Sequence, residues 1–198
     1  LPPASQLKLR IGDPEGAFRR AEGLGEIRAE LEAMGVELVP VELPRYPVQA
    51  MLITLSAEAA AAFDQLTRSG TDDELVRQVK NAWPNTFRAA RLIPAVEYLQ
   101  AQRLRRELMV DLEAALGKAD VVALVHPPYA AGLLSMTNLT GHPAVVAPFV
   151  PKAGPREDGS PFTISFTGRL DADEELMAIV ARWQATYPGH VRHPSLPK

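Results

Sequence analysis

A strand, a helix and a second strand follow one another within the first 44 residues, and this order constrains the fold most. Leu9–Gly12 has the pattern of a short strand. Apolar residues then recur at helical spacing over Leu24–Met34, and Gly35 stands where a helix ends in the left-handed conformation. Val36–Leu43 follows as a second strand that Pro44 ends. This βαβ order predicts two parallel strands joined by a crossover helix.

The next section is predicted to be helical. Ser56 has the chemistry of an N-cap for a helix over 57–66. Thr71–Glu74 has the pattern of a capping box that opens a helix reaching about Ala82. The Pro-containing segment 83–86 is expected to break that helix, and Ala95–Leu116 is expected to form the longest helix of the chain.

Strands return after the longest helix. The predicted elements are strands over Ala119–Val125, Pro143–Phe149 and Phe162–Thr167 and a final amphipathic helix from about Asp171 to Tyr187. The first two strands are apolar throughout, as in strands covered on both faces, whereas the third alternates like a strand with one wetter face. The predicted class is α/β, with a mixed, mainly parallel sheet and helices on its faces. Residues 1–198 are expected to form one α/β unit ending in a loose tail, 190–198.

Composition excludes several kinds of protein. The chain has 198 residues, a formal net charge of −3 and no cysteine. The absence of cysteine excludes disulfides, thiolate metal sites and a cysteine nucleophile. No basic run suggests nucleic-acid binding, and no apolar stretch approaches the ~20 residues that span a bilayer. We expect a cytoplasmic location.

Short motifs for catalysis or metal binding are weak. Ser135 is the nearest match to a Gly-x-Ser-x-Gly nucleophile turn, but the second glycine is missing. His190 and His193 have a metal-ligand spacing without a third ligand, so no metal site is predicted. His126 and His142, beside prolines at strand ends, are expected to be neutral, hydrogen-bonded loop histidines.

The segment 137–144 resembles a known family. Its asparagine, threonines, glycine and proline fit an ordered turn before a buried strand, and a structural role is sufficient to explain them. The segment and its downstream and upstream companions contain the motifs Asn138-x-Thr140-Gly141-x-Pro143-Ala144, Asp158-Gly159-x-Pro161, Phe166-x-Gly168, Tyr98-Leu99-Gln100-Ala101-x-Arg103, and Asp120–Val125 with Pro127-Pro128. Together, these motifs resemble the C-terminal part of the amidase signature family.

The resemblance implies an activity whose catalytic residues this chain lacks. Members of the family cleave carboxylic amides with a serine nucleophile, a second serine and a lysine, without metal or organic cofactor. Both serines belong to a Gly/Ser-rich stretch in the family's N-terminal half, and this chain has no such stretch. No catalytic residue is therefore assigned here. The expected partners are a small-molecule amide substrate and the missing N-terminal half.

The resemblance also suggests which residues contact substrate. Pro128, Tyr129, Thr137 and Asn138 are expected on one wall of the substrate pocket. Trp83 belongs to the helical section between Ser56 and Pro94, which is expected either to cover the pocket mouth or to be an ordinary helical layer. The alternative to an amidase fragment is a non-catalytic subunit or binding module with the same half-fold. A fragment would leave an unpaired sheet edge, through which the isolated chain could form a homodimer.

Overall fold

The computed structural model describes residues 9–14, 17, 25–128, 130–149 and 162–191. The chain divides into two compact units. One, the sheet unit, combines Leu1–Pro44 with Met109–Lys198, and the other, the helical unit, is Arg45–Leu108. The assignment of all 198 residues to one α/β unit within a larger domain stays a prediction. Of the expected tail, 190–198, the first two residues belong to a 3-10 turn (Gly189–Val191), and residues 192–198 lie outside the described residues.

The described strands form one five-stranded sheet in the order β2-β1-β3-β5-β4. The strands are β1 (Arg10–Pro14), β2 (Glu37–Val41), β3 (Ala123–His126), β4 (Ala144–Phe149) and β5 (Phe162–Gly168). β1 pairs in parallel with β2 and β3, while β5 runs antiparallel to both β3 and β4. Four of the five strands therefore point the same way. The prediction of a mixed, mainly parallel α/β sheet is confirmed.

Eight α-helices occur among the described residues. They are α1 (Gly25–Ala33), α2 (Val48–Met51), α3 (Ile53–Ala62), α4 (Asp64–Ser69), α5 (Trp83–Ala90), α6 (Ala95–Ala119), α7 (Leu133–Thr140) and α8 (Asp173–Thr186). Helices α2 to α5 belong to the helical unit, and α1, α7 and α8 to the sheet unit.

The first βαβ unit forms as predicted. Ile27 and Leu31 on α1 are buried in the sheet unit's core, and Gly35 ends the segment at φ 84°. Gly12 in β1 permits a close approach: an added Cβ would lie 2.6 Å from Leu124 Cδ2 and 2.7 Å from Val41 Cγ2. The glycine at position 12 therefore allows the side chains of Leu124 and Val41 to pack directly against the backbone of β1.

The apolar core of the sheet unit centres on Trp183 of α8. Its ring lies 5.9 Å from the ring of Phe166 and 6.1 Å from that of Phe149, and 4.7 Å from that of Tyr187. Ala123 and Val125 of β3 belong to the same cluster. Since side chains alternate along a strand, Leu124 and His126 project from the opposite face of the sheet.

Two expectations about strand burial are wrong. The strand expected to be covered on both faces, β4, is an outer strand on which Ala144 and Val146 are exposed. The strand expected to have a wetter face, β5, is buried from Ile164 to Gly168. The reason is topological, because β5 inserts between β3 and β4 and takes the interior position. β3, by contrast, is central and wholly buried, as expected.

The helical unit departs most from prediction. Ser56 lies inside α3, which begins at Ile53, so it is not an N-cap. Thr71–Glu74 forms a single 3-10 turn rather than opening a helix. The side-chain amide of Gln78 donates to the carbonyls of Asp72 (2.9 Å) and Leu75 (2.8 Å), which satisfies acceptors that a helix would have used.

The predicted break at Trp83–Thr86 is also wrong. A helix, α5, begins at Trp83, with Pro84 in its first turn. Proline fits there because the first turn needs no backbone donor. The longest helix, α6, runs to Ala119 and includes Gly117, three residues beyond the predicted end at Leu116.

Candidate functional site

The sheet reverses its winding direction between β1 and β3. The chain leaves β1 for β2 on one side and later returns to β3 on the other side. In open α/β sheets, ligands bind at such a switch point, at the carboxyl ends of the parallel strands. Asp13 near the end of β1 and His126 at the end of β3 are both buried at those ends. This part of the sheet unit is the candidate site.

His126 is held through both ring nitrogens. Its Nδ1 lies 2.8 Å from the carbonyl oxygen of Pro127, and its Nε2 lies 3.1 Å from Thr167 Oγ1. A carbonyl only accepts, so Nδ1 carries the proton and donates, and the Thr167 hydroxyl donates to Nε2. Burial lowers the pKa of His126, and the backbone bond to Pro127 opposes this less strongly. The expectation of a neutral, hydrogen-bonded histidine is consistent with this geometry, although the residue ends a strand rather than lying in a loop.

Two of the expected substrate-contact residues follow β3 directly. Pro128 is half-buried in the turn after the strand, two residues beyond His126. Tyr129 lies outside the described residues. The ring of His126 fixes the carbonyl of Pro127, and therefore the start of this turn, in one orientation. A role of either residue in substrate contact stays a prediction.

The other two residues on the expected pocket wall lie on a helix. The segment expected to be a turn, 137–140, is the second half of α7, and only Gly141, at φ 77°, has the predicted conformation. Thr137 is buried and donates its hydroxyl proton to the carbonyl of Leu133 at 2.9 Å. Asn138 is exposed. Adjacent helical residues point about 100° apart, so the two side chains face different surroundings.

Trp83, the remaining expected contact, belongs to the helical unit. Its side chain is 52% exposed and stacks on Phe87, with ring centroids 5.5 Å apart. Phe87 is buried and stacks in turn on Phe63 at 5.2 Å. Trp83 therefore exposes part of an aromatic ring whose position is held by stacking on Phe87. The structure assigns Trp83 to one unit and Pro128, Thr137 and Asn138 to the other.

Solved structures of amidases share this fold. A crystal structure of an amidase superposes with a TM-score of 0.72 at 19% identity, and the match covers 90% of this chain and 45% of that one. Peptide amidase from Stenotrophomonas maltophilia gives a TM-score of 0.69 at 19% identity, covering 93% and 44%. Allophanate hydrolase from Kluyveromyces lactis gives 0.64 at 18% identity, covering 91% and 32%.

The fold is an amidase fold. The resemblance to amidases expected from the sequence is thus confirmed for the fold, and the chain spans less than half the length of the solved amidases it matches. Neither a protein-family model nor a curated protein sequence matches the chain.

The described residues contain no serine hydrogen-bonded to a base, no group of metal ligands and no membrane-spanning helix. None of its serine hydroxyls is hydrogen-bonded to a lysine or a histidine, and Ser135 is a half-buried residue of α7. Nowhere in the described ranges do three histidine or acidic side chains group as they would around a metal ion. No described helix combines the length and the apolar character that crossing a membrane requires.

A second buried histidine belongs to an ion-pair cluster that the sequence analysis missed. His142 Nδ1 lies 2.8 Å from Thr140 Oγ1, and its Nε2 lies 3.5 Å from Glu113 Oε2. Arg169 donates from Nε to Glu113 Oε1 at 2.6 Å. Burial lowers the pKa of His142, and the Glu113 carboxylate opposes this less strongly. The partners are 29 and 56 residues apart in sequence, so no local pattern could have indicated them.

Proposed function

We propose that this chain is the C-terminal part of an amidase that hydrolyses carboxylic amide C–N bonds by serine nucleophilic catalysis. The observation that carries the proposal is the amidase fold, which extends over nine-tenths of this chain but less than half of the solved amidases. The nucleophile, its base and the oxyanion donors would lie in the part of the protein that precedes this chain.

Within that enzyme, the present chain would supply five sheet strands, a helical layer and one wall of the substrate pocket. The buried hydrogen bonds of His126 hold the turn that carries Pro128, which supports a rigid wall at the carboxyl end of β3. Trp83, with its exposed ring stacked on Phe87, would contact the variable part of a small-molecule amide. Hydrolysis in this scheme needs no metal or organic cofactor.

The test compares this chain with the full reading frame on a panel of primary amides and p-nitroanilides. The full-length protein should hydrolyse some of them and lose activity to a serine-reactive sulfonyl fluoride, whereas the 198-residue chain should show no turnover. Turnover by the chain that Ser135→Ala abolishes would make Ser135 the nucleophile and overturn the proposal. Turnover that survives Ser135→Ala would reveal a different site in this chain.

The alternative is a non-catalytic subunit or binding module, and one observation favours it. Both outer strands of the described sheet contain a proline, Pro40 in β2 and Pro148 in β4. Proline on an outer strand removes a donor and discourages further pairing, as in a sheet that is complete. A full reading frame without a Gly/Ser-rich segment and a lysine upstream of it would favour this alternative.

A further inference from the structure

The helical unit contains an open surface cavity of about 380 Å³. Six of the nine lining residues are apolar, and five of those six are alanine: Ala57, Ala60, Ala61, Ala90, Ala95 and Ile93. The remaining three are Asp64, Arg91 and Tyr98. A mostly apolar cavity of this size with a few polar groups has the character of a small-molecule site.

The polar groups give the cavity a positive region. Arg91 forms an ion pair with Asp64 Oδ1, and Arg68 donates from Nε to Asp64 Oδ2 at 2.6 Å. Two guanidinium groups around one carboxylate leave a local charge of about +1. Arg91 itself lines the cavity. Its guanidinium has five donors, and the described pair with Asp64 engages one Nη, so donors remain for a ligand.

The side of the cavity lined by Tyr98 is held by hydrogen bonds and lies beside a negative charge, that of Glu58. Tyr98 donates from its hydroxyl to Glu58 Oε1 at 3.1 Å and accepts from Gln102 Nε2 at 2.8 Å. Glu58 lies on α3, whereas Asp64 begins α4. An anionic ligand group is thus favoured beside Arg91 and disfavoured beside Tyr98, whose ring offers an apolar surface.

We infer that this cavity binds a small amphipathic monocarboxylate. The apolar body would lie on the alanine floor against the Tyr98 ring, and the carboxylate would accept hydrogen bonds from Arg91. A cationic ligand bound in the same orientation would place its charge beside Arg91, at the positive end of the cavity. The inference does not depend on the proposed function, because it concerns binding that is measured without turnover.

Isothermal titration of the 198-residue chain with 4-phenylbutyrate tests the inference. This probe has about a dozen non-hydrogen atoms, and ligand efficiency at that size sets a dissociation constant on the order of 1 mM. 4-Phenylbutylamine, which keeps the apolar body and reverses the charge, should bind at least tenfold more weakly. No saturable binding up to about 10 mM, tenfold above the expected constant, would overturn the inference. Equal affinity for acid and amine would do the same.

Variants of the lining residues locate the site. Arg91→Gln should weaken 4-phenylbutyrate binding at least tenfold by removing a charged donor. Ala61→Leu should weaken it similarly by filling the floor, and because Ala61 is exposed this variant should stay folded even if Arg91→Gln does not. Arg77→Gln changes an exposed arginine of the same unit outside the lining and should leave affinity unchanged. Undiminished binding by folded Ala61→Leu would refute the assignment to this cavity.

Discussion

Replacement of Gly12 by alanine tests how tightly β1 packs in the sheet unit. The new Cβ would lie 2.6 Å from Leu124 Cδ2 and 2.7 Å from Val41 Cγ2, about 1 Å closer than an optimal carbon contact. Both neighbours are buried, so neither side chain has room to retreat. Overpacking of this kind costs about 1–3 kcal/mol, and the entropy gained by removing a glycine offsets about 0.4–1 kcal/mol. We expect a net loss of about 0–2.6 kcal/mol.

The matched control is Gly117→Ala in the same unit. There an added Cβ meets only Arg169 Nη2, at an ordinary 3.8 Å, and Gly117 lies within α6. Alanine in a helix is favoured over glycine by about 0.5–1 kcal/mol, so this variant should be more stable than the parent. Urea unfolding followed by circular dichroism and tryptophan fluorescence gives both values. If Gly12→Ala is as stabilising as Gly117→Ala, the close approach at Gly12 is refuted.

A second substitution separates the clash from other effects. Leu124→Val removes the Cδ2 atom that lies nearest to the new Cβ. Gly12→Ala and Leu124→Val should therefore be non-additive, with the double variant more stable than the sum of the two losses. Strict additivity would mean that Gly12→Ala destabilises the unit for a reason other than contact with Leu124.

Three further predictions concern buried or exposed side chains. Burial lowers the pKa of both His126 and His142, so the unfolded chain binds protons more tightly than the folded chain. The free energy of unfolding should therefore be highest above about pH 6.5 and should fall on acidification, by at most about 1.4 kcal/mol per pH unit for each histidine. Urea unfolding at pH 7 and at pH 5 measures this loss. Thr167→Val should cost about 1–3 kcal/mol in urea unfolding, because it leaves the buried Nε2 of His126 without its donor. Under the proposed function, Trp83→Ala in the full-length protein should change relative kcat/KM among amides more than it changes Tm. A large loss of Tm with unchanged preference would support an ordinary helical layer instead.

Local sequence patterns correctly predicted those helices and strands whose own residues specify them. The βαβ unit followed from periodicity and from Gly35. In α6, leucines recur every four residues, and Leu108, Leu112 and Leu116 are fully buried. The failures have a local cause too. Threonines in the segment 137–140 favour turns in isolation, but within α7 the hydroxyls of Thr137 and Thr140 donate to carbonyls four residues earlier.

Features that depend on distant partners could not be predicted in this way. Strand burial was assigned in reverse for β4 and β5 because their order in the sheet depends on pairing with β3. The hydrogen bond of His126 to Thr167 joins residues 41 apart, and the ion pair of Glu113 with Arg169 joins residues 56 apart. At the candidate site, sequence indicated the turn after β3 but gave no sign of the buried donor that holds it.

The outer strand β4 distinguishes a fragment from a complete module. Its carboxyl end is covered, since an added Cβ at Gly189 would lie 2.9 Å from the carbonyl oxygen of Pro148. Its amino end is open, with Val146 57% exposed. If the rest of an amidase covers this region, the isolated chain should self-associate there or bind a dye that reports exposed apolar surface. A complete module should sediment as a monomer and bind no dye.

Paired lysine substitutions show whether β4 mediates that association. Val146→Lys places a charge on the open strand, where it opposes edge-to-edge pairing. Val110→Lys places the same charge on α6, at a valine that is equally exposed, 56% against 57%. Under the fragment proposal, sedimentation velocity should show that only Val146→Lys reduces the oligomer, with little change in the urea midpoint of either variant. Equal reduction by both variants would mean that the association does not involve β4. A parent chain that is monomeric and binds no dye would count against the fragment proposal, because a truncated sheet should expose the apolar surface that its missing half had covered.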